Sequence, residues 1–245
     1  FQKGDQKIAD DAIAAAKKAF QTWRKTPWQE RVRLLRKAAD IIEERSYYIG
    51  AAMTLEVGKN RMEGIGDAVE TADLIRYACD QLEENNGFEI QMGNDPFVGL
   101  KSTNLSVMRP YGVWLIISPF NFPGALTGGP AGAAMVAGNT IVMKPATDTP
   151  LTPYLLAKAF LDAGIPDGVF NYATGPGSTL GNALWNHPDV AGVTFTGSFD
   201  VGMGIFRTFA QNGKYVRPTI LELGGKNPAI VSKNANLEDA ALGIV

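Results

Sequence analysis

From residue 109 onward the chain repeats one grammar, in which a short apolar run is mostly followed by a helical segment and then by another apolar run. The runs are GVWLIIS (112 to 118), TIVMK (140 to 144), VFNYA (169 to 173), GVTFT (192 to 196), TILEL (219 to 223) and PAIVS (228 to 232). Strands separated by helices imply right-handed crossovers, and crossovers imply a parallel sheet with helices on both faces. Helix punctuation agrees: Thr152 with Pro153 opens a helix, and Gly164 followed by Pro166 closes it. Residues 109 to 245 are therefore expected to form an α/β core of the nucleotide-binding type.

The preceding residues follow different rules. Over 5 to 85 the apolar positions recur at helical spacing: Ile8, Ala12, Ala16, Phe20 and Trp23 share one face, and Val32, Leu35, Ala39 and Ile42 another. Cys79 falls in a similar stripe with Ile75 and Leu82. Asp80, Glu83 and Glu84 beside it would raise its pKa, so it is expected to pack rather than react. Between 87 and 108 the pattern turns to Gly, Asn and Pro with short alternating pieces, which suits an extended hairpin. Three parts are thus expected: a helical region over 1 to 86, an arm over 87 to 108, and the α/β core over 109 to 245.

Charge and composition remove several function classes. Lys and Arg total 23 against 25 Asp and Glu, a net charge of -2, with no basic block to track a phosphate backbone. Nucleic acid is not an expected partner. No apolar run is long enough to span a bilayer, no secretory pattern opens the chain, and a single cysteine fits a reducing compartment. A cytoplasmic protein without membrane contact is expected, and no metal site. Phe1 stands where Met would, and the final AALGIV breaks off inside a helical pattern, so a longer parent chain is expected and an upstream targeting segment stays open.

In open parallel sheets ligands bind beyond the carboxyl ends of the strands. The polar residues at those ends are Asn121 in SPFNFPG (118 to 124), Lys144, the glycines of TGPGSTLG (174 to 181), Gly197 with Ser198, and Glu222 with Gly224 and Gly225. Ser198 suits an N-cap whose helix would offer free N–H groups to a pyrophosphate, or simply an ordinary capped helix. TGPGSTLG lacks G-x-G-x-x-G spacing and reads equally as a strand-to-helix turn. No Walker-type phosphate loop occurs, which disfavours a nucleoside triphosphatase. Lys144 is either a solvated strand-end lysine or a donor to ribose hydroxyls. Glu222, inside TILEL, belongs either to an exposed edge strand or to a cleft where a carboxylate of raised pKa could act as a base.

SPFNFPGAL, NTIVMKPATDTP, AGVTFTGS and LELGGKNPAIV, in that order and approximate spacing, resemble the aldehyde dehydrogenase superfamily across essentially the whole chain. The resemblance implies a Rossmann-like domain that binds NAD or NADP, preceded by helices, with the arm joining subunits of a homo-oligomer and a small aldehyde as substrate. It also implies roles. Asn121 would donate its amide to the oxyanion formed when a cysteine thiolate attacks the aldehyde, a type of contact worth about 3 to 4 kcal/mol. Lys144 would bind the adenosine ribose, Ser198 beside Gly197 the pyrophosphate, and Gly177 and Gly181 would flank the adenine. Glu222, followed by Gly224, would activate the water that hydrolyses the thioester.

Two departures from the family pattern matter. The family's nucleophilic cysteine would fall past Val245, and Cys79 cannot replace it. NAD-preferring members often carry Glu three residues after the lysine, where Thr147 stands here with Asp148 next, so NADP use is open. The insert QNGKYVRP and the segment GGPAGAAMVAGNTIVMKPA look most like the branch that oxidises glutamate semialdehyde, the pyrroline-5-carboxylate dehydrogenases. A CoA-acylating semialdehyde dehydrogenase is the alternative enzyme, which Glu222 argues against. A non-catalytic dinucleotide-binding protein is the alternative of a different class.

Overall fold

The computed structural model describes residues 1–212 and 215–244. Gly213 and Lys214 of the QNGKYVRP insert, and the terminal Val245, lie outside the described residues.

Four helices come first: α1 (Gln6–Trp23), α2 (Trp28–Glu44), α3 (Ser46–Val57) and α4 (Arg61–Glu84). Side-chain caps set the starts of α1 and α4. The Asp5 carboxylate accepts the Ile8 N–H at 3.2 Å, and the Asn60 side chain accepts the Glu63 N–H at 3.0 Å, each satisfying a donor that a helix start leaves free. The buried positions of α2 include Val32, Leu35, Ala39 and Ile42, as the spacing predicts. In α1 the buried line is Ala9, Ile13, Ala16 and Trp23, with Ile8 and Ala12 at its margin. Of the predicted face, Ala16 and Trp23 are buried and Ile8, Ala12 and Phe20 half-buried, and contact with the sheet adds Ala9 and Ile13. Cys79 is fully buried with Ile75 and Leu82 in one cluster, and its thiol is pushed up to about 11, mainly by burial.

The arm is a two-stranded antiparallel ribbon, β1 (Glu89–Gln91) with β2 (Leu105–Val107), registered Ile90 to Ser106. It carries exposed apolar side chains, among them Ile90, Phe97, Leu100, Leu105 and Met108.

Beyond it lie β3 (Val113–Ile117), α5 (Ala125–Val136), β4 (Thr140–Lys144), α6 (Leu151–Ala163), β5 (Phe170–Tyr172), α7 (Asn182–Asn186), β6 (Val190–Thr196), α8 (Phe199–Asn212), β7 (Thr219–Glu222) and α9 (Leu237–Ile244). The strands form one parallel sheet in the order β5-β4-β3-β6-β7. β3, with all five residues buried, sits at its centre. Its side chains alternate between two cores: Val113, Leu115 and Ile117 pack on the side of α1, α7 and α8, while Trp114 and Ile116 pack on the side of the other buried helices. Helices therefore cover both faces, the arrangement a buried parallel sheet requires.

One expected strand is missing. PAIVS at 228–232 is exposed, non-strand backbone. Its apolar residues satisfy the local pattern, but a strand also needs a ladder partner, and the described sheet ends at β7. No described helix is long and apolar enough to cross a membrane.

Candidate dinucleotide and active site

The chain winds outward from β3 in both directions, to β4 and β5 on one side and to β6 and β7 on the other. The strand order reverses between β3 and β6, and at such a switch point the flanking loops diverge and leave a crevice. A row of residues crosses the sheet there in register: Lys144 beside Ile117, Ile117 beside Phe195, Phe195 beside Leu221.

A cleft of about 410 Å³ opens on this row, lined in part by Ile117, Lys144, Thr147, Gly177, Trp185 and Phe195. Lys144 ends β4 with 4% of its surface exposed, and its Nζ donates to the Pro145 carbonyl at 2.9 Å. Burial pushes this ammonium below the ordinary lysine range. It is not the solvated strand-end lysine that was one of its two readings. Thr147, exposed on the rim, begins the segment that leads to α6. That segment is anchored at its far end: the Glu56 carboxylate accepts the N–H groups of Leu151 and Thr152 at 2.5 and 2.8 Å, and the Tyr172 hydroxyl donates to the Pro150 carbonyl.

Gly177 opens a single wide helical turn, 177–181, that runs into α7, so TGPGSTLG is a strand-to-helix turn and also a wall of the cleft. Gly181 is buried at its end. A Cβ there would lie 2.9 Å from the Trp185 ring, so a side chain would push that ring aside, while Lys144 Cε at 3.6 Å would be in ordinary contact with it.

The other candidate residues stand on the same edge of the sheet without lining this cleft. Gly197 follows β6, and its N–H donates to the Glu222 carbonyl at 3.1 Å. Ser198 directly precedes α8 and its carbonyl accepts the Gly202 N–H at 3.0 Å, the first bond of the helix. Its position is that of an N-cap, and Val201, three residues further, reaches the cleft. Asn121 lies in the turn between β3 and α5, exposed, with no hydrogen bond to its amide among the described residues. Glu222 ends β7, the edge strand, and is exposed, which is the plainer of its two readings. Gly224 follows in open backbone where a Cβ would meet nothing.

Sequence reasoning did not single out Trp185, Asn182, Phe195 or Val201, all of which line the cleft. One signal was available: Gly181 and Trp185 are four apart, and that spacing places a missing side chain beneath an aromatic ring.

The chain has relatives of known kind. A 1-pyrroline-5-carboxylate dehydrogenase of Halalkalibacterium halodurans is 37% identical over 246 residues, 99% of this chain. The chain spans about half the length of the curated relatives it matches, 47% in that case. Among solved structures, an NADP-dependent glyceraldehyde-3-phosphate dehydrogenase from Bacillus halodurans C-125 complexed with NADP superposes with a TM-score of 0.88 at 39% identity, covering 99% of this chain and 50% of that one. Proline utilization A from Bdellovibrio bacteriovorus, inactivated by N-propargylglycine, gives 0.93 at 35% identity, covering 99% and 25%. The family match itself runs over residues 1–245, and with these relatives and this fold the chain belongs to the aldehyde dehydrogenase family.

Proposed function

We propose that the chain supplies the dinucleotide-binding part of an enzyme that oxidises an aldehyde to a carboxylic acid with NAD or NADP. The observation that carries this reading is the cleft at the switch point, where a buried ammonium, a glycine turn and an aromatic wall meet. The residues fit a dinucleotide. Lys144 has three N–H donors and one acceptor among the described residues, so donors remain for ribose hydroxyls. The N-terminus of α8, beginning after Gly197 and Ser198, offers free N–H groups to a pyrophosphate. Gly177 and Trp185 line the cleft and Gly181 packs against Trp185, an arrangement suited to holding an adenine.

When bound, the nicotinamide supplies the hydride acceptor. Everything else falls to side chains. The Asn121 amide donates a hydrogen bond to the oxygen of the aldehyde as negative charge develops there, and the rigid prolines and phenylalanines around it limit reorganisation. Glu222 takes the proton of the water that releases the acid. A cysteine nucleophile is required, and Cys79, buried with a raised pKa, does not serve. Gly224 would let the backbone after Glu222 pass close to the cofactor.

Glutamate semialdehyde is the aldehyde we place first, supported by the likeness of the QNGKYVRP and GGPAGAAMVAGNTIVMKPA segments to that branch and by the name of the Halalkalibacterium relative. The exposed apolar arm supports pairing between copies of the protein, since a two-stranded ribbon leaves an unpaired edge on each strand. The test is a screen of the full-length protein for NAD(P)H production over a panel of semialdehydes. Asn121→Ala should then lower kcat about 100-fold with little change in dinucleotide affinity. No NAD(P)H with any aldehyde would remove the activity, and unchanged turnover in Asn121→Ala would remove that residue's role.

A further inference from the structure

The turn that carries Asn121 is held at both ends. At its start the Ser118 N–H donates to the Lys144 carbonyl at 3.3 Å, which continues the sheet. At its end Asp67, from α4 and 2% exposed, accepts the Ala125 N–H on Oδ1 at 2.6 Å. Oδ2 of the same carboxylate accepts Lys59 Nζ at 3.0 Å, an ion pair whose side chains are 0% and 10% exposed. Lys59 Nζ in turn stands 3.4 Å from the centre of the Phe122 ring, next in sequence to Asn121. The backbone lies against this assembly so closely that a Cβ on Gly124 would come within 2.7 Å of Asp67 Oδ1 and 2.5 Å of Met53 Cε.

Helix α5 does need an acceptor for its first N–H groups, because Gly124 provides no side chain. A neutral Asn or Ser would meet that need. Pulling a carboxylate and an ammonium out of water offsets most of their attraction, so the buried pair is a poor source of net stability. What the pair adds is placement. Carboxylate, ammonium and aromatic face form one chain of directional contacts that begins at the helix start and ends beside Asn121.

We propose that Asp67 and Lys59 are positioning residues for Asn121, holding residues 119–124 so that the exposed amide is already in place when negative charge develops on the substrate oxygen. This rests on the oxyanion role of Asn121 proposed above. Donors aligned before the reaction need no reorganisation during it, and small misplacements are costly.

The test uses the full-length enzyme and reads three quantities: the rate of the first NAD(P)H turnover by rapid mixing, the dinucleotide Kd by fluorescence, and the Tm. Lys59→Met should slow the first turnover about 10-fold or more, as expected for a displaced reacting group, and leave the dinucleotide Kd unchanged. In an Asn121→Ala background the same substitution should cost almost nothing further, because coupled residues are non-additive. Asp67→Asn, which keeps an acceptor for Ala125, should behave like Lys59→Met. A normal first turnover in Lys59→Met, or a loss that multiplies in full with that of Asn121→Ala, overturns the proposal. Should Lys59→Met fail to fold, Phe122→Leu removes the half-exposed ring alone and should show the same selective slowing; a normal rate there overturns it equally. If Asn121→Ala alone leaves the rate unchanged, it is the oxyanion role that falls, and the positioning role falls with it.

Discussion

Replacing Lys144 with methionine separates a ligand-binding ammonium from a structural one. Met keeps the length of the side chain and removes its charge. In the wild-type chain that charge is 4% exposed, with one hydrogen bond among the described residues, to the Pro145 carbonyl. Burial lowers its pKa from 10.5, so the unfolded chain holds the proton more tightly than the folded one. The charged form therefore costs stability at pH values below the folded pKa. The cost is relieved as pH rises through the folded pKa toward the unfolded value. Lys144→Met is expected to melt at or above the wild-type temperature near pH 7, with the difference shrinking toward pH 10. Dinucleotide affinity should move the other way. One charge-assisted hydrogen bond lost is worth about 1.5–3 kcal/mol, which corresponds to a Kd weaker by about 10- to 150-fold. Fluorescence titration with NADPH and thermal melts across that pH range, on the full-length protein, measure both. A Kd within twofold of wild type would refute the ribose contact. A Tm several degrees lower near neutral pH would refute the account of Lys144 as a buried charge awaiting a ligand.

Two further substitutions probe the remaining roles. Thr147→Glu places a carboxylate on the cleft rim, where it should repel a 2'-phosphate and accept from ribose hydroxyls. NADP binding should weaken at least about 10-fold relative to NAD, the scale of one unfavourable charge contact; equal effects in fluorescence titrations would defeat the assignment. Glu222→Gln should leave the first turnover fast and slow all later ones, giving a burst of one NAD(P)H per site in stopped-flow absorbance. A slow first turnover would place Glu222 earlier in the reaction.

Five of the six expected strands and the helical character of residues 5–85, though not its division into four helices, were legible because their signals are local. TIVMK and GVTFT are bounded apolar runs, and α2 carries its stripe at helical spacing. PAIVS looks the same as the others in one dimension, but pairing is a property of two strands, and no described neighbour supplies the second ladder. The buried face of α1 was read only in part, at Ala16 and Trp23 but not at Ala9 and Ile13, for a similar reason. A helix with alanines on several sides can present more than one face, and contact with β4 and β5 chose among them.

The candidate site divides along the same line. Asn121, Lys144, Gly197, Ser198 and Glu222 could be picked out because each is a polar or small residue at the end of an apolar run, and strand ends in a parallel sheet face one edge. Sequence order could not tell which strands are neighbours. The order β5-β4-β3-β6-β7 puts Lys144 and Phe195 on either side of Ile117, although they lie far apart along the chain. Nor could it show that Glu222 ends an exposed edge strand, or that Trp185 closes the cleft. The contact of Asp67 with Ala125 joins residues 58 positions apart through a buried carboxylate. Periodicity reports which residues leave water, and so the amino-acid sequence by itself determined the elements and the kinds of chemistry available. Which buried groups meet depends on crossovers and packing between distant segments, and that was decided only by the tertiary structure.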